Sequence, residues 1–228
     1  MKMDFRAIPL CLVIFAVGCE RYSETTKVTS VEGSVISESS KADVGLHEYF
    51  GRQETLDDVN EISSLISGFR YHTPIEKSDR DILVDLWLKN YQLYPSWNPR
   101  LVEHPQIRVT VAEILYKVDP DNAEEYRDYI LAQTQARASE VRANAIMGLA
   151  LIGDKESIPL FISTLLGDKS EMVAIQAGFA LLAIEDAKAK KELLSCLIEL
   201  ADRGDRRSTH IVNVLQEYLA GYEELHSN

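Results

Sequence analysis

Apolar and small residues recur at helical spacing in two neighbouring stretches of the chain, and the second stretch repeats the first. Residues 141–152 form the first stretch and end on Gly153-Asp154; residues 173–184 repeat it 32 positions later (173 − 141). Between them, the apolar spacing of residues 157–168 predicts a second helix. Each unit is therefore a predicted pair of helices, which cannot bury its apolar faces alone and must stack on its neighbours. This favours an all-α fold, an α-α superhelix.

Further helical patterns extend the predicted stack on both sides. A fainter copy of the unit starts at Ile107-Arg108, so residues 105–228 hold about three helical hairpins and a C-terminal capping helix. Residues 45–104 carry two more helical patterns, which we expect to form either a degenerate first repeat or a cap on the solenoid, because terminal repeats need a polar outer face. The charged run Asp205-Arg206-Arg207-Ser208 is predicted to be a loop with its arginines in solvent.

The unit resembles the HEAT-like repeat of the phycobilisome-lyase type. In that pattern a Val-Arg pair opens the first helix, small residues lead to Leu, Gly-Asp closes it, and Val/Ile-Pro begins the second helix. The matching positions are Val141, Arg142, Ala145, Leu149, Ile152, Gly153, Asp154, Ile158 and Pro159. The third unit departs from the pattern with Ala174 at the Arg position and Glu185 at the Gly position. The resemblance implies a role in protein–protein interaction, which is a fold-level analogy.

The first 18 residues have the pattern of a secretion signal peptide. A basic start precedes an apolar run of 11 residues, 7–17, which is shorter than the roughly 20 residues of a membrane-spanning helix. Ala16-Val17-Gly18 then stands directly before Cys19 and resembles the bacterial lipobox, which implies cleavage before Cys19 and attachment of acyl chains. The alternative is an ordinary signal-peptidase site, because Ala16 and Gly18 are both small.

Residues 19–44 predict a disordered tether between the acylated cysteine and the helical domain. They are polar, rich in Ser and Thr, and lack sustained periodicity. We expect the domain to lie on the periplasmic side of a bacterial cell envelope, held by its acyl chains. Glu20 is not the Asp that retains enteric lipoproteins in the inner membrane, which favours the outer membrane. The net charge of −12 argues against a nucleic-acid partner.

Four apolar residues occupy positions that are usually polar and outward-facing in such repeats. Met147 and Leu151 lie at i, i+4 in one first helix, and Ile175 and Phe179 lie at i, i+4 in the next. They predict an apolar patch across two repeats, covered either by the chain's own helix 56–69 or by a partner protein. Charged substitutions at Met147 and Phe179 distinguish these two alternatives. Loss of folding would show that the patch is part of the core, and loss of partner binding alone would show that it is an interface. The corresponding sites of the upstream copy are Glu113 and Lys117.

A proline-rich loop at residues 94–100 is a candidate recognition element. It carries Tyr94, Trp97 and Arg100, and Trp, Tyr and Arg dominate binding hot spots. The alternative is that the aromatic side chains fold back and cover the first helices.

The chain lacks the motifs of the common catalytic sites. It has no glycine-rich phosphate loop, no His-Glu-x-x-His, no Cys-x-x-Cys and no Gly-x-Ser-x-Gly. HEAT-like di-iron hydroxylases carry His-Glu pairs in several repeats, whereas the single pair here, His47-Glu48, precedes the repeats. Cys196 lies in an apolar helix and is predicted to fill the core. We expect no catalytic residue, metal site or cofactor.

These features favour a membrane-tethered scaffold that binds another envelope protein through HEAT-like repeats. The alternative is an envelope enzyme, or a regulatory subunit of an enzyme complex, whose site is not visible as a sequence motif. A polar pocket lined by converging histidines or carboxylates would distinguish the enzyme from the scaffold.

Overall fold

The computed structural model describes residues 75, 77–90, 93, 98–184 and 186–226, apart from the side chains of Ser78 and of residues 221–226. The described residues belong to one compact unit, Asp43–Asn228. Within them the structure has nine α-helices and no strand, as the all-α prediction requires. The helices are α1 (Lys77–Trp87), α2 (Pro99–Val102), α3 (Pro105–Val118), α4 (Ala123–Gln133), α5 (Ser139–Leu151), α6 (Ile158–Gly167), α7 (Glu171–Ala183), α8 (Ala187–Arg203) and α9 (Arg206–His226).

Three consecutive hairpins form the body of the structure. They are α3/α4, α5/α6 and α7/α8, and their first helices stack in the order α3, α5, α7, with α9 packed on α7 and α8. The predicted helices 141–152 and 173–184 therefore lie flank to flank, as α5 and α7. The fainter upstream copy is also confirmed as a hairpin, α3/α4. This is the α-α superhelix that the sequence pattern predicts.

Local signals set the ends of the helices. Pro105 starts α3 at a position where its missing N–H is not needed, and His104 Nδ1 accepts a hydrogen bond from Gln106 N at 3.3 Å. Gly153 ends α5 with a φ of +76°, a conformation that favours glycine. In the next unit Asp186 caps α8 by accepting hydrogen bonds from Lys188 N and Ala189 N.

The core runs along the first helices of the hairpins. Long continuous segments of these helices are buried, namely residues 106–115 of α3, 145–150 of α5 and 173–181 of α7. A helix that is buried on all sides needs neighbours around its whole circumference. The first helices therefore form the centre of the described structure, and the second helices lie outside them.

The prediction of a loop at Asp205–Ser208 is wrong. Helix α9 begins at Arg206, and Asp205 caps it, because its carboxylate accepts hydrogen bonds from Ser208 N and Ser208 Oγ at 3.0 and 2.6 Å. Arg207 is half-buried and donates to the backbone oxygen of Asp168, so it is not a solvated turn residue. A single-residue turn at Gly204, with a φ of +64°, suffices to connect α8 to this cap.

Several predictions fall on residues outside the described part of the chain. These are the signal peptide 1–18, the tether 19–44 with Cys19, the helix 56–69 and most of the predicted cap 45–104.

Candidate interaction surface

An aspartate closes the first helix of each hairpin and pairs with a cation from an earlier part of the stack. The carboxylate follows the first helix in each pair, and the cation lies in α1, in α4 or in the turn between α5 and α6. We call this set the aspartate ladder. Its members are Arg80–Asp119, Arg127–Asp154 and Lys155–Asp186, with nitrogen–oxygen distances of 3.5, 3.2 and 3.2 Å.

The first carboxylate of the ladder also accepts hydrogen bonds within its own hairpin. Tyr126 OH donates to Asp119 Oδ2 at 2.6 Å and Asn122 Nδ2 donates at 3.0 Å. These hydrogen bonds, with a smaller contribution from the Arg80 guanidinium, hold the pKa of Asp119 below its usual value despite burial. Burial and the bond to Asp119 together raise the pKa of Tyr126. The carboxylate is therefore charged and the phenol protonated at neutral pH.

The opposite edge of the stack is held by Arg142, the arginine of the Val-Arg pair. Its Nε and Nη2 donate to the two oxygens of Asp168 at 3.0 and 2.8 Å, and its Nη1 donates to the backbone oxygens of Ala136 and Arg137. Burial raises the pKa of Asp168, but the hydrogen bonds from Arg142 and Ser170 N and the charges of Arg142 and Arg207 together outweigh it, so the pKa lies below its usual value. Arg207 then brings α9 to the backbone oxygen of Asp168. We call this group the Arg142 clamp.

The equivalent arginine of the first hairpin, Arg108, has different partners. It is buried and donates to the backbone oxygens of Leu86 and Trp87 at 3.4 and 3.3 Å, and its guanidinium lies over the Trp87 ring at 4.5 Å. The Trp87 ring contacts Tyr126 and Tyr129 edge-on, each with centroids 5.1 Å apart. Both arginines of the repeat pattern are therefore committed to structural contacts, and α1 is fixed onto the first hairpin.

The four residues of the predicted apolar patch lie mainly in the interior. Met147, Ile175 and Phe179 are buried and Leu151 is half-buried. The Phe179 ring packs edge-on against Tyr218 of α9, with centroids 4.9 Å apart. Residues 56–69, the proposed cover, lie outside the described part of the chain. Whether they or a partner complete the patch stays a prediction, for which the charged substitutions remain the test.

In the first hairpin a buried carboxylate takes the place of an apolar patch residue. Glu113 is fully buried although the repeat pattern places its position outward, and its Oε1 lies 3.8 Å from Lys117 Nζ. The burial of Glu113 could not be found from helical spacing, because that spacing places it on the same side as half-exposed Lys117.

The structure describes one of the three candidate loop residues. Tyr94 and Trp97 lie outside the described residues, and Arg100 is exposed in α2, where its backbone N–H donates to Asn98 Oδ1 at 3.1 Å. The recognition role of this loop therefore stays a prediction.

Sequence reasoning missed an exposed apolar face on α8. Leu194 and Ile198 lie one turn apart and are 56% and 65% exposed, whereas Cys196 points inward and is buried. Burial raises the pKa of the Cys196 thiol, in keeping with a core filler. Lys191 and Asp202 are exposed one turn before and after the apolar pair. We call Lys191, Leu194, Ile198 and Asp202 the α8 face. The i, i+4 apolar pair within a charged helix was its signal in the sequence.

Neither a metal centre nor a membrane span is found in the described part of the chain. No three His, Cys, Asp or Glu side chains converge there in a way that could hold a metal ion. None of the helices described is long and apolar enough to cross a bilayer.

Successive helical hairpins, joined at one edge by the aspartate ladder and at the other by the Arg142 clamp, define the chain as an α-helical repeat protein. Residues 127–215 match the family model of HEAT repeats, so this segment of the chain has HEAT-like repeats. Proteins with such repeats typically act as non-enzymatic scaffolds that mediate protein interactions. Comparison with curated proteins and with solved structures gave no match.

Proposed function

We propose that the protein is a lipid-anchored scaffold of the bacterial cell envelope, which holds a HEAT-like stack near a membrane and binds another envelope protein. The observation that carries the proposal is the HEAT-repeat match over residues 127–215, the segment that the aspartate ladder and the Arg142 clamp hold together. Binding is the activity that a surface of this kind supports.

The cross-links between hairpins support a binding role because they fix the surface before a partner arrives. Arg127 Nη2 donates to Asp154 at 3.2 Å and to Glu156 at 2.9 Å, so one guanidinium joins two successive hairpins. A surface that is ordered in the free protein loses less conformational entropy on binding. The stack therefore favours a partner that meets an extended preformed surface.

The anchor is proposed from the sequence Ala16-Val17-Gly18-Cys19. Two acyl chains hold a protein at a membrane where one binds only reversibly, since each buried methylene contributes about 0.8 kcal/mol. A tether spanning residues 19–44 would have a root-mean-square reach on the order of 25–30 Å. The repeats would thus stand clear of the lipid surface on the periplasmic side, with the outer membrane favoured over the inner one.

Acylation is tested by expressing the full chain in bacteria fed an alkyne-bearing fatty acid. We expect label on the wild type, and we expect Cys19→Ala to lose both the label and the membrane association. Cys11→Ala is the matched control, because Cys11 lies within the proposed signal peptide and should leave the label unchanged. Equal labelling of the Cys19→Ala variant and the wild type would contradict the anchor.

Binding is tested in intact cells by a photo-crosslinking amino acid placed at exposed positions, one at a time. Arg100 samples the candidate loop and Leu131, which is 36% exposed, samples α4. We expect a discrete crosslinked species that contains another envelope protein, identified by mass spectrometry. The Cys19→Ala variant should lose that species if the anchor brings the partners together. Absence of any discrete species at every position would overturn the scaffold role.

A further inference from the structure

The second layer of the stack ends in an open face. Helix α7 packs on α5 and α6, and α9 packs on α7 and α8 in the same way. Helix α9 therefore occupies the first-helix position of a fourth unit. No helix of the described residues takes the second-helix position beside α8, and the α8 face lies on that side of the repeat.

In the preceding repeat, α8 occupies the second-helix position beside α6. Ile162 and Leu166 of α6 are the equivalents of Leu194 and Ile198, since both pairs are 32 residues apart (194 − 162 and 198 − 166). They are half-buried where α8 packs beside α6, with Arg203 Nη1 donating to the backbone oxygen of Leu166 at 2.8 Å. The apolar pair of α8 is therefore suited to a helix that continues the same seam.

The charges on the α8 face are complementary to those on the same face of a second, antiparallel chain. The midpoint of the apolar pair is position 196, and Lys191 and Asp202 lie five and six residues to either side of it. At a rise of about 1.5 Å per residue, both charges are roughly 8–9 Å from the midpoint. At 100° per residue, both also lie on the same flank of the Leu194–Ile198 line. An antiparallel copy of α8 would therefore bring each lysine opposite the aspartate of the other chain.

We infer that the α8 face binds the α8 face of a second copy of this chain, in an antiparallel pair related by a two-fold axis at position 196. The contact is isologous, so Leu194 of one protomer meets Ile198 of its partner, and the Lys191–Asp202 pair occurs twice. The face is one helix wide, at the low end of the area of specific interfaces, so we expect weak dimerisation that depends on protein concentration. Self-association of this kind rests on the proposed function, because anchoring in a membrane would raise the local concentration of copies.

A charge-exchange series tests the antiparallel pairing by sedimentation of the detergent-purified full chain over a range of concentrations. Wild type is expected to pass from the mass of one chain to that of two. Lys191→Glu and Asp202→Lys should each weaken dimerisation by about tenfold, because symmetry doubles every like-charge contact. The double variant, Lys191→Glu with Asp202→Lys, should restore it. A wild type that stays at the mass of one chain, or a double variant that is no tighter than the singles, overturns the pairing.

Two single-cysteine variants at equivalent positions of α8 and α6 test the position of the two-fold axis in intact cells. Ser195 and Ser163 are equivalent, exposed serines of α8 and α6, each donating to a backbone oxygen of its own helix. With a short thiol crosslinker, Ser195→Cys should give a crosslinked dimer, whereas Ser163→Cys should match the wild type. Equal crosslinking at both sites, or capture of a different protein at position 195, overturns the inference.

The two proposals fail separately in these experiments. The sedimentation series uses purified protein and depends on no other envelope protein, so loss of self-association leaves the scaffold role to its own crosslinking test. Acylation is likewise read from the fatty-acid label alone. The substitutions of the α8 face are at exposed positions, and thermal unfolding checks that each variant retains the fold of the wild type.

Discussion

At the residue scale, Gly178 lies where α7 and α9 pack closely against each other. A methyl group at this position would lie 2.5 and 2.8 Å from the two terminal carbons of Leu215. Leu215 is fully buried, so its side chain cannot move into solvent to make room. A glycine at this position is thus explained by the helix that packs on it.

Gly178→Ala is therefore expected to lower the free energy of unfolding by about 1–3 kcal/mol, the usual cost of overpacking a core. Gly167→Ala is the control, because a methyl group there meets nothing within 4 Å. It should be neutral or stabilise by up to about 1 kcal/mol through helix propensity. Urea unfolding of both variants measures the difference, and equal stability of the two would show that α9 does not pack closely on α7.

At the element scale, the Arg142 clamp connects three helices through Asp168, which both Arg142 and Arg207 contact. The Arg142 guanidinium reaches two carboxylate oxygens and two backbone oxygens, while Asp168 also connects to α9 through Arg207. A lysine ammonium cannot reproduce that planar arrangement. The connection between α5, the end of α6 and α9 therefore depends on the chemical identity of the arginine and not only on its charge.

Arg142→Lys is expected to cost about 2–4 kcal/mol of unfolding free energy, since it leaves partly buried acceptors without donors. Glu199→Gln is the matched control, because it removes an exposed i, i+4 pair with Arg203 and should cost less than about 0.5 kcal/mol. Chemical unfolding of both variants tests this. A loss at Arg142 no larger than that at Glu199 would mean that the clamp contributes nothing to the stack.

The helices of the repeats could be predicted from the sequence because their signals are local. Apolar spacing and the ends at Gly153 and Asp186 lie within a few residues of the helices they define. The start of α9 was misplaced because Asp205, which caps it, stands in a charged run typical of loops. The partners of Arg207 and Arg127 could not be predicted, since they lie 39 and 27 residues away in the chain. Such pairs depend on how the hairpins stack, which helical spacing alone does not define.

At the scale of the whole molecule, the lowered pKa values of Asp119 and Asp168 connect stability to pH. A carboxylate whose pKa is lower in the folded state stabilises the fold above its unfolded value of about 3.9. That contribution is lost as pH falls through the folded pKa. We therefore expect the free energy of unfolding to fall between about pH 5 and pH 2, and urea unfolding over this range measures the slope.

Tyr126→Phe should make the acid-dependent loss smaller, because the Tyr126 hydrogen bond is the largest cause of the lowered pKa of Asp119. At neutral pH the variant is expected to lose about 1–3 kcal/mol. Tyr129→Phe is the control on the same helix, since the Tyr129 ring contacts Trp87 and Arg108 and no carboxylate of the ladder. An identical pH slope in wild type and Tyr126→Phe would contradict the assignment.

The aspartate ladder has a consequence for how such a chain changes length. The α5/α6 hairpin carries both kinds of group: Asp154 receives the cation of the hairpin before it, and Lys155 reaches the aspartate of the hairpin after it. In a tandem duplication of residues 137–168, Lys155 of the first copy would pair with Asp154 of the second copy. Lys155 of the second copy would then pair with Asp186. The arginine and aspartate that hold its own loop would be copied along with it. The insertion of a whole hairpin would thus leave every charged residue of the ladder with an ion-pair partner. The number of hairpins could therefore change without substitutions in the flanking hairpins.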